Sequence, residues 1–397
     1  MKKILLSIII ALASTTTFAQ SIYICKGGDY TKTDISEGLE ISLTEGIDSI
    51  TFYEPQFEKV VTIAYNGTSA TVTIPSFVSG VTCSSGTSSD VVLASTNTKD
   101  EITYKVSGTS SNGSLVINGE YKMTVQLDGV SLTSTKGAAI DIQCGKRINL
   151  TMTDGSTNTL VDAIDGSQKA CLYTKGHIEL SGAGTLNVTG NANHAIASKE
   201  YFQVKKSVKA INIVKAANDA IHVGQYFQMN GGELNITNTT ANDGIQVDYK
   251  TDDDGNIIED EENTGQVIVK GGTLNITMAA NQDSKGIKTE GDIVISGGTF
   301  NINANSNGSR GMQTDGNMVI SEEDNATKIL IYATGTKCTV AEDKGDPHNC
   351  MGMKIDGNLT VNAGTISVYN TGSKSKGIKV GGKYTKNGGT VNAAGIE

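Results

Sequence analysis

Tryptophan is absent from the 397 residues, proline occurs only 3 times, and aromatic residues make up 5%. A groove lined with tryptophan, of the kind that grips neutral cellulose, therefore cannot be built. No stretch of useful length carries a helical apolar period, and beyond the N-terminus no apolar run reaches the ~20 residues of a membrane helix. Basic charge is not in surplus: 32 lysines and arginines face 42 aspartates and glutamates, a formal charge of −10. Nucleic-acid binders draw affinity from phosphate neutralisation and need the opposite balance, so no nucleic-acid partner is expected. G-x-S-x-G, H-E-x-x-H and C-x-x-C are all missing. The run from Gly377 to Lys383 has P-loop spacing, but Tyr384 stands where Ser or Thr is required and no helix follows.

What the chain does have is glycine, 46 residues of it, set among Val, Ile, Leu, Thr and Asn. That composition favours an all-β protein over a disordered one. Residues 1–19 read as a signal peptide: Lys2 and Lys3 precede an apolar segment over 4–13, and Thr17-Phe18-Ala19 forms a cleavage site before Gln20. Export to the periplasm, the cell surface or the medium is expected. All six cysteines lie beyond that segment, where disulfides persist. Cys338 and Cys350 bracket a polar loop and are the first pair expected to bridge; buried free thiols are the alternative.

A small residue followed by an apolar one recurs at Ala195-Ile196, Ala220-Ile221, Gly244-Ile245, Gly286-Ile287, Gly311-Met312, Gly352-Met353 and Gly377-Ile378. The intervals are 25, 24, 42, 25, 41 and 25, and the two long ones contain insertions near 249–264 and 333–350. A second anchor keeps the same step, as in Glu233-Leu234-Asn235-Ile236, Thr273-Leu274-Asn275-Ile276 and Thr299-Phe300-Asn301-Ile302. A third lies between them, as in Ile293-Val294-Ile295. Three short alternating strands per unit cannot bury an apolar face alone, whereas stacked units can. The expected fold is a right-handed parallel β-helix, a solenoid of about ten coils with roughly 25 residues each, its hand taken from the usual parallel crossover. Residues 20–59 form a leader without repeats, and 60–397 form the repeating domain.

In a stacked fold, equivalent positions become spatial neighbours. The residue before the first anchor runs His194, Asp219, Asp243, Lys285, Arg310, Met351, Lys376, an acidic stretch that turns basic. Asp219 over Asp243, supplemented by Asp248, is a candidate calcium site, because stacked carboxylates repel unless a cation bridges them. Turn-forming Asn-Asp pairs that bond their own backbone are the alternative. His194 and His222 fall within one or two coils of each other. A second outward column runs His222, Gln246, Lys288, Gln313, Lys354, Lys379. With Lys285, Arg310 and Lys376 it places a cationic strip on an acidic protein, suited to a polyanion such as an extended polyuronate; a solvated face is the plain reading. Tyr332 and Tyr369 occupy equivalent positions in a third column and offer either a platform for sugar rings or a protective ladder. The acidic run over 252–262 lacks EF-hand spacing and reads as a solvated hairpin.

The stretch Leu127-Asp128-Gly129-Val130-Ser131-Leu132-Thr133 through Ala138-Ala139-Ile140, then Asn149-Leu150-Thr151 and residues 154–160, resembles the family of carbohydrate-binding β-helix domains related to the pectate-lyase-like fold. The Asn-Asp-Gly-Ile and Gly-Gly-Thr-Leu-Asn-Ile units resemble it too, so the similarity spans roughly residue 60 to 397. It implies a secreted, calcium-associated protein that binds plant cell-wall polymers such as cellulose or polygalacturonate. The Asp of the Asn-Asp-Ala-Ile and Asn-Asp-Gly-Ile units corresponds to Asp219 and Asp243; Lys285, Arg310 and Lys376 depart from that pattern.

Three functions are consistent with these residues. A monomeric, non-catalytic polysaccharide-binding protein is expected first, with the cations and tyrosines gripping an acidic chain. A calcium-dependent lyase is the second, with Lys285 or Lys288 taking the uronate α-proton beside the metal. A structural or adhesive surface solenoid is the third.

Overall fold

Each repeat folds as three short strands because its apolar residues alternate and its glycines, asparagines and aspartates interrupt the alternation every few residues. In the unit that begins at Lys285 the strands are Lys285–Thr289, Ile293–Ile295 and Gly298–Ala304. The next unit repeats them as Arg310–Thr314, Met318–Ile320 and Thr327–Ala333. Every strand pairs in parallel with its equivalent, for instance Lys285 with Arg310, Ile293 with Met318 and Phe300 with Ile329. The computed structural model describes residues 21–26, 29–34, 47, 49–51, 58–238, 242–278, 281–339 and 347–397. Among them no helix occurs, and the fold is all-β with long parallel sheets. The expected signal peptide lies outside the described residues.

Inward columns form one continuous core. Leu234, Leu274, Phe300, Ile329 and Ile366 stand in successive register and are buried, and Phe202 stacks on Phe227 with ring centroids 5.7 Å apart. Each such side chain contributes roughly 1.5–3 kcal/mol of hydrophobic stabilisation. On the outward face, as the alternation requires, asparagines form a ladder. Asn212, Asn235, Asn275 and Asn301 each donate a side-chain amide to the preceding asparagine of the series that begins at Asn187, at 2.8 to 2.9 Å.

The small residue of the first anchor has a steric cause. A Cβ on Gly286 would lie 2.6 Å from the carbonyl oxygen of Gly311, and one on Gly311 would lie 2.6 Å from that of Gly352. Backbones of successive units approach too closely there for a side chain.

Parallel stacking begins at Val60–Asn66, which pairs with Ile102–Ser110, although antiparallel hairpins are interposed. Before it, Ser21–Lys26 pairs with Asp29–Asp34 and Ser49–Thr51 in a three-stranded antiparallel sheet, an element the absence of repeats had concealed. The first insertion is a hairpin closed by a Thr251–Ile257 bridge, with Asp252 accepting hydrogen bonds from Asn256. In the second, residues 340–346 fall outside the described residues and Pro347–His348 pairs with Cys338–Thr339.

The expected Cys338–Cys350 bridge is not formed: all six cysteines are free. Cys338 stands across from His348, while Cys350 turns its sulfur toward the Ser309 hydroxyl at 3.7 Å and the Ala304 carbonyl at 3.5 Å.

Candidate functional site

The parallel register of one sheet assembles both outward columns. Asp243 pairs with Lys285, Lys285 with Arg310, Arg310 with Met351 and Met351 with Lys376. Beside them, Gln246 pairs with Lys288, Lys288 with Gln313, Gln313 with Lys354 and Lys354 with Lys379. Between these columns lies a cavity of about 430 Å³ lined by Asp283, Lys285, Lys288, Arg310, Gln313, His348, Asn349, Met351, Lys354 and Lys379. Six of the nine residues expected to bind carbohydrate therefore converge.

Lys285, Arg310 and Gln313 form its buried floor, and Lys288 and Lys354 are partly exposed. Two cations one register step apart repel, and the cleft answers this with Asp283. Its carboxylate receives Lys285 Nζ at 2.9 Å, His348 Nδ1 at 2.6 Å and lies 3.3 Å from Arg310 Nη1. Burial alone would raise this carboxyl, but the Lys285 hydrogen bond and the charges of Lys285 and Arg310 outweigh it and hold it below the usual carboxylate range. Asp283 adopts a left-handed backbone, φ 60°, as do Gly308 and Lys374 at the equivalent turn positions of other units, and aspartate is one of the residues that tolerates it. Arg310 also donates from Nη1 to Gln313 at 2.9 Å, yet its buried Nε has no hydrogen-bond partner. Lys379 makes no ion pair among the described residues. The cleft thus holds five cations against one lining carboxylate, with an N–H still to be satisfied, an arrangement that receives carboxylates.

Asp283 and His348 escape the sequence reading because the turn of Asp283 recurs with other residues in its place, Gly308 and Lys374, and His348 sits in an insertion. A periodic pattern carries no information on either.

Other expected residues lie apart. Lys376 is paired with Glu397 at 2.6 Å, outside the cavity. Tyr332 and Tyr369 stack on each other, centroids 5.3 Å apart and planes 18° apart, on a strand ladder of the other sheet. Both remain exposed, at 41% and 50%. A second stack, His177, Tyr201 and Tyr226, was not anticipated; its ring centroids are 4.2 and 4.7 Å apart.

The three carboxylates expected to hold calcium do not form an oxygen cage. Asp219 faces His194 and His222, with Nδ1 atoms at 3.2 and 3.0 Å, and accepts the Asp243 N–H at 3.0 Å. Asp243 accepts the Lys285 N–H at 2.7 Å and has Lys288 Nζ 3.9 Å away, while Asp248 accepts from Gln246. Calcium seeks six to eight oxygens, whereas this set is rich in imidazole and ammonium nitrogen, so calcium does not fit here. Burial, opposed by Lys285 and reinforced by Asp219, pushes the Asp243 carboxyl up to about 6. Burial would raise Asp219 as well, but its two histidine contacts prevail and hold it well below the usual range.

Comparison with known proteins places the sequence in a family. A carbohydrate-binding domain-containing protein of Acetivibrio thermocellus is 31% identical over 111 residues, which is 25% of this chain and 39% of that relative. The chain therefore spans about two fifths of the length of that relative. A solved structure described as a polysaccharide lyase-like protein from C. thermocellum, a gadolinium derivative, is 23% identical and covers 66% of this chain and 97% of its own, with a TM-score of 0.49. The family model described as carbohydrate-binding domain-containing protein matches residues 90–395, and with that span this chain belongs to the carbohydrate-binding domain-containing protein family.

Proposed function

We propose that this is an exported, monomeric, non-catalytic polysaccharide-binding protein whose cationic cleft takes an acidic glycan of the polyuronate type. The observation that carries the reading is the cleft itself: Lys285, Lys288, Arg310, Lys354 and Lys379 converge on one cavity of a chain whose formal charge is −10. An anionic polymer is drawn to such a strip against the overall repulsion, and successive units present a donor to successive sugars. Strands ~4.8 Å apart repeat on the scale of a sugar residue. The stacked units are read as a right-handed parallel β-helix, the architecture that keeps such a strip straight.

Carboxylate recognition falls to Arg310, whose guanidinium is buried, partly engaged by Asp283 and Gln313, and has Nε unpaired. Lys288, Lys354 and Lys379 stand around it as point charges on flexible stems.

The test mixes the protein with polygalacturonate, with calcium or with chelator, and records both co-sedimentation and the ultraviolet absorbance of unsaturated product. Binding that weakens with salt, with flat absorbance, is the expected result. Rising absorbance that disappears in Lys285→Ala or Lys288→Ala would replace the binding protein with a lyase. Failure to bind any acidic glycan would remove the reading.

A further inference from the structure

One cluster among the described residues has no part in the cationic cleft. His194 Nδ1 and His222 Nδ1 lie 3.2 and 3.0 Å from a single oxygen, Oδ2 of Asp219. One ligand atom from each of the three residues lies within 4.8 Å of the others. The other carboxylate oxygen accepts the N–H of Asp243, which orients the group and leaves Oδ2 to the imidazoles. His222 makes a hydrogen bond to it, but His194 Nδ1 has no hydrogen-bond partner although the residue is only 7% exposed. A buried ring nitrogen aimed at a carboxylate without completing a bond requires an explanation, and an ion is one of the few available.

The geometry points to a binding site for a borderline divalent transition cation of the Zn²⁺ type, held by His194 Nδ1, His222 Nδ1 and Asp219 Oδ2. Two imidazoles and one carboxylate are the donor set such ions prefer and calcium does not. Three protein donors leave a further position open to water or a ligand, and His222, the most exposed of the three, lies on the accessible side. The surroundings fit as well. With a metal in place of the Nδ1 proton, His222 keeps its remaining proton on Nε2, which faces Asp248 Oδ2 at 3.4 Å in the carboxylate–histidine relation of metal-bound imidazoles. The two rings stack, centroids 4.5 Å apart and 28° between planes, so both Nδ1 atoms address the same carboxylate.

The donors come from neighbouring units. His194 opens the strand His194–Ser198, while Asp219 and His222 flank the start of Ile221–Gly224, its parallel partner. A bound ion therefore ties two successive units together, and binding will register as stability.

The purified chain, stripped with chelator, is titrated with Zn²⁺ by calorimetry and with Co²⁺ by visible absorption, and its thermal unfolding is followed with Zn²⁺ or Ca²⁺. One ion per chain, nitrogen-ligated Co²⁺ bands and a midpoint raised by Zn²⁺ but not by Ca²⁺ are expected. His222→Gln and His194→Gln each lower Zn²⁺ affinity by more than about 100-fold, and Asp248→Asn by about 10–100-fold. Affinity unchanged in both histidine variants, or equal stabilisation by Ca²⁺, overturns the assignment. The Co²⁺ spectrum of the unsubstituted chain decides the matter even where a variant fails to fold, since absence of nitrogen-ligated bands also overturns it.

Discussion

His348 reaches back across 65 residues to place Nδ1 2.6 Å from Oδ1 of Asp283, joining the second insertion to the turn that precedes Lys285. This contact closes one side of the cleft, and Asp283 at its centre also holds Lys285 and Arg310.

Asp283→Asn leaves those two buried cations unneutralised and is expected to cost about 1–3 kcal/mol in urea unfolding at neutral pH. The pH dependence follows from the direction of the shift. A carboxyl whose folded pKa is depressed stabilises the fold fully above its unfolded value, near ~3.9, and that stabilisation is lost as pH falls through the lower folded value. The gap between the parent protein and Asp283→Asn should therefore be widest at neutral pH and close in acid. A gap that stays constant down to strong acid would show that the charge of Asp283 is irrelevant.

Gly311→Ala places a methyl group 2.6 Å from the Gly352 carbonyl oxygen and 2.6 Å from Ile331 Cγ2. Units must separate locally, and a loss of about 1–3 kcal/mol is expected. Gly145→Ala meets nothing within 4 Å and serves as the comparison, with a change within about 0.5 kcal/mol. Thermal melts of the two side by side check the steric account of the anchor column.

Asn275→Ala breaks two rungs of the amide ladder, the bond to Asn235 and the one from Asn301, both at 2.8 Å. Asn301→Ala breaks only the bond it donates. At about 0.5–1.5 kcal/mol per bond, the first variant should unfold at lower denaturant than the second, with similar slopes.

Lys288→Ala combined with Lys354→Ala should weaken polygalacturonate binding several-fold and flatten its salt dependence. Tyr369→Ala should leave that binding unchanged, because the Tyr332–Tyr369 stack belongs to a different sheet from the cleft. Equal losses in both would mean that the glycan spans two faces. Affinity electrophoresis in gels containing the polymer gives the comparison directly.

Much of this site is legible before any coordinates. The step of about 25 residues places Lys285 beside Arg310 and Lys288 beside Gln313, and the observed registers agree. Parallel strands with matched registers make that possible, since a position in one unit has a single lateral neighbour in the next. The same logic misleads at Asp219 and Asp243. They stand in one column on successive units as expected, but side-chain direction turns Asp219 to the histidines and Asp243 to Lys285 and Lys288.

By itself the sequence determined the repeat, the apolar interior, the need for a small residue at each anchor and the two columns that carry the cations. These all follow from a backbone period, which translates directly into spatial neighbours. Tertiary structure alone decided that Asp283 and His348 enter the cleft, that Cys338 and Cys350 stay apart, that the tyrosines stand on another face, and that His194, Asp219 and His222 share one point. Those outcomes depend on which residue occupies a recurring left-handed turn, Asp283 where other units carry Gly308 and Lys374, on how an insertion folds back and on rotamers chosen by packing, none of which the period fixes.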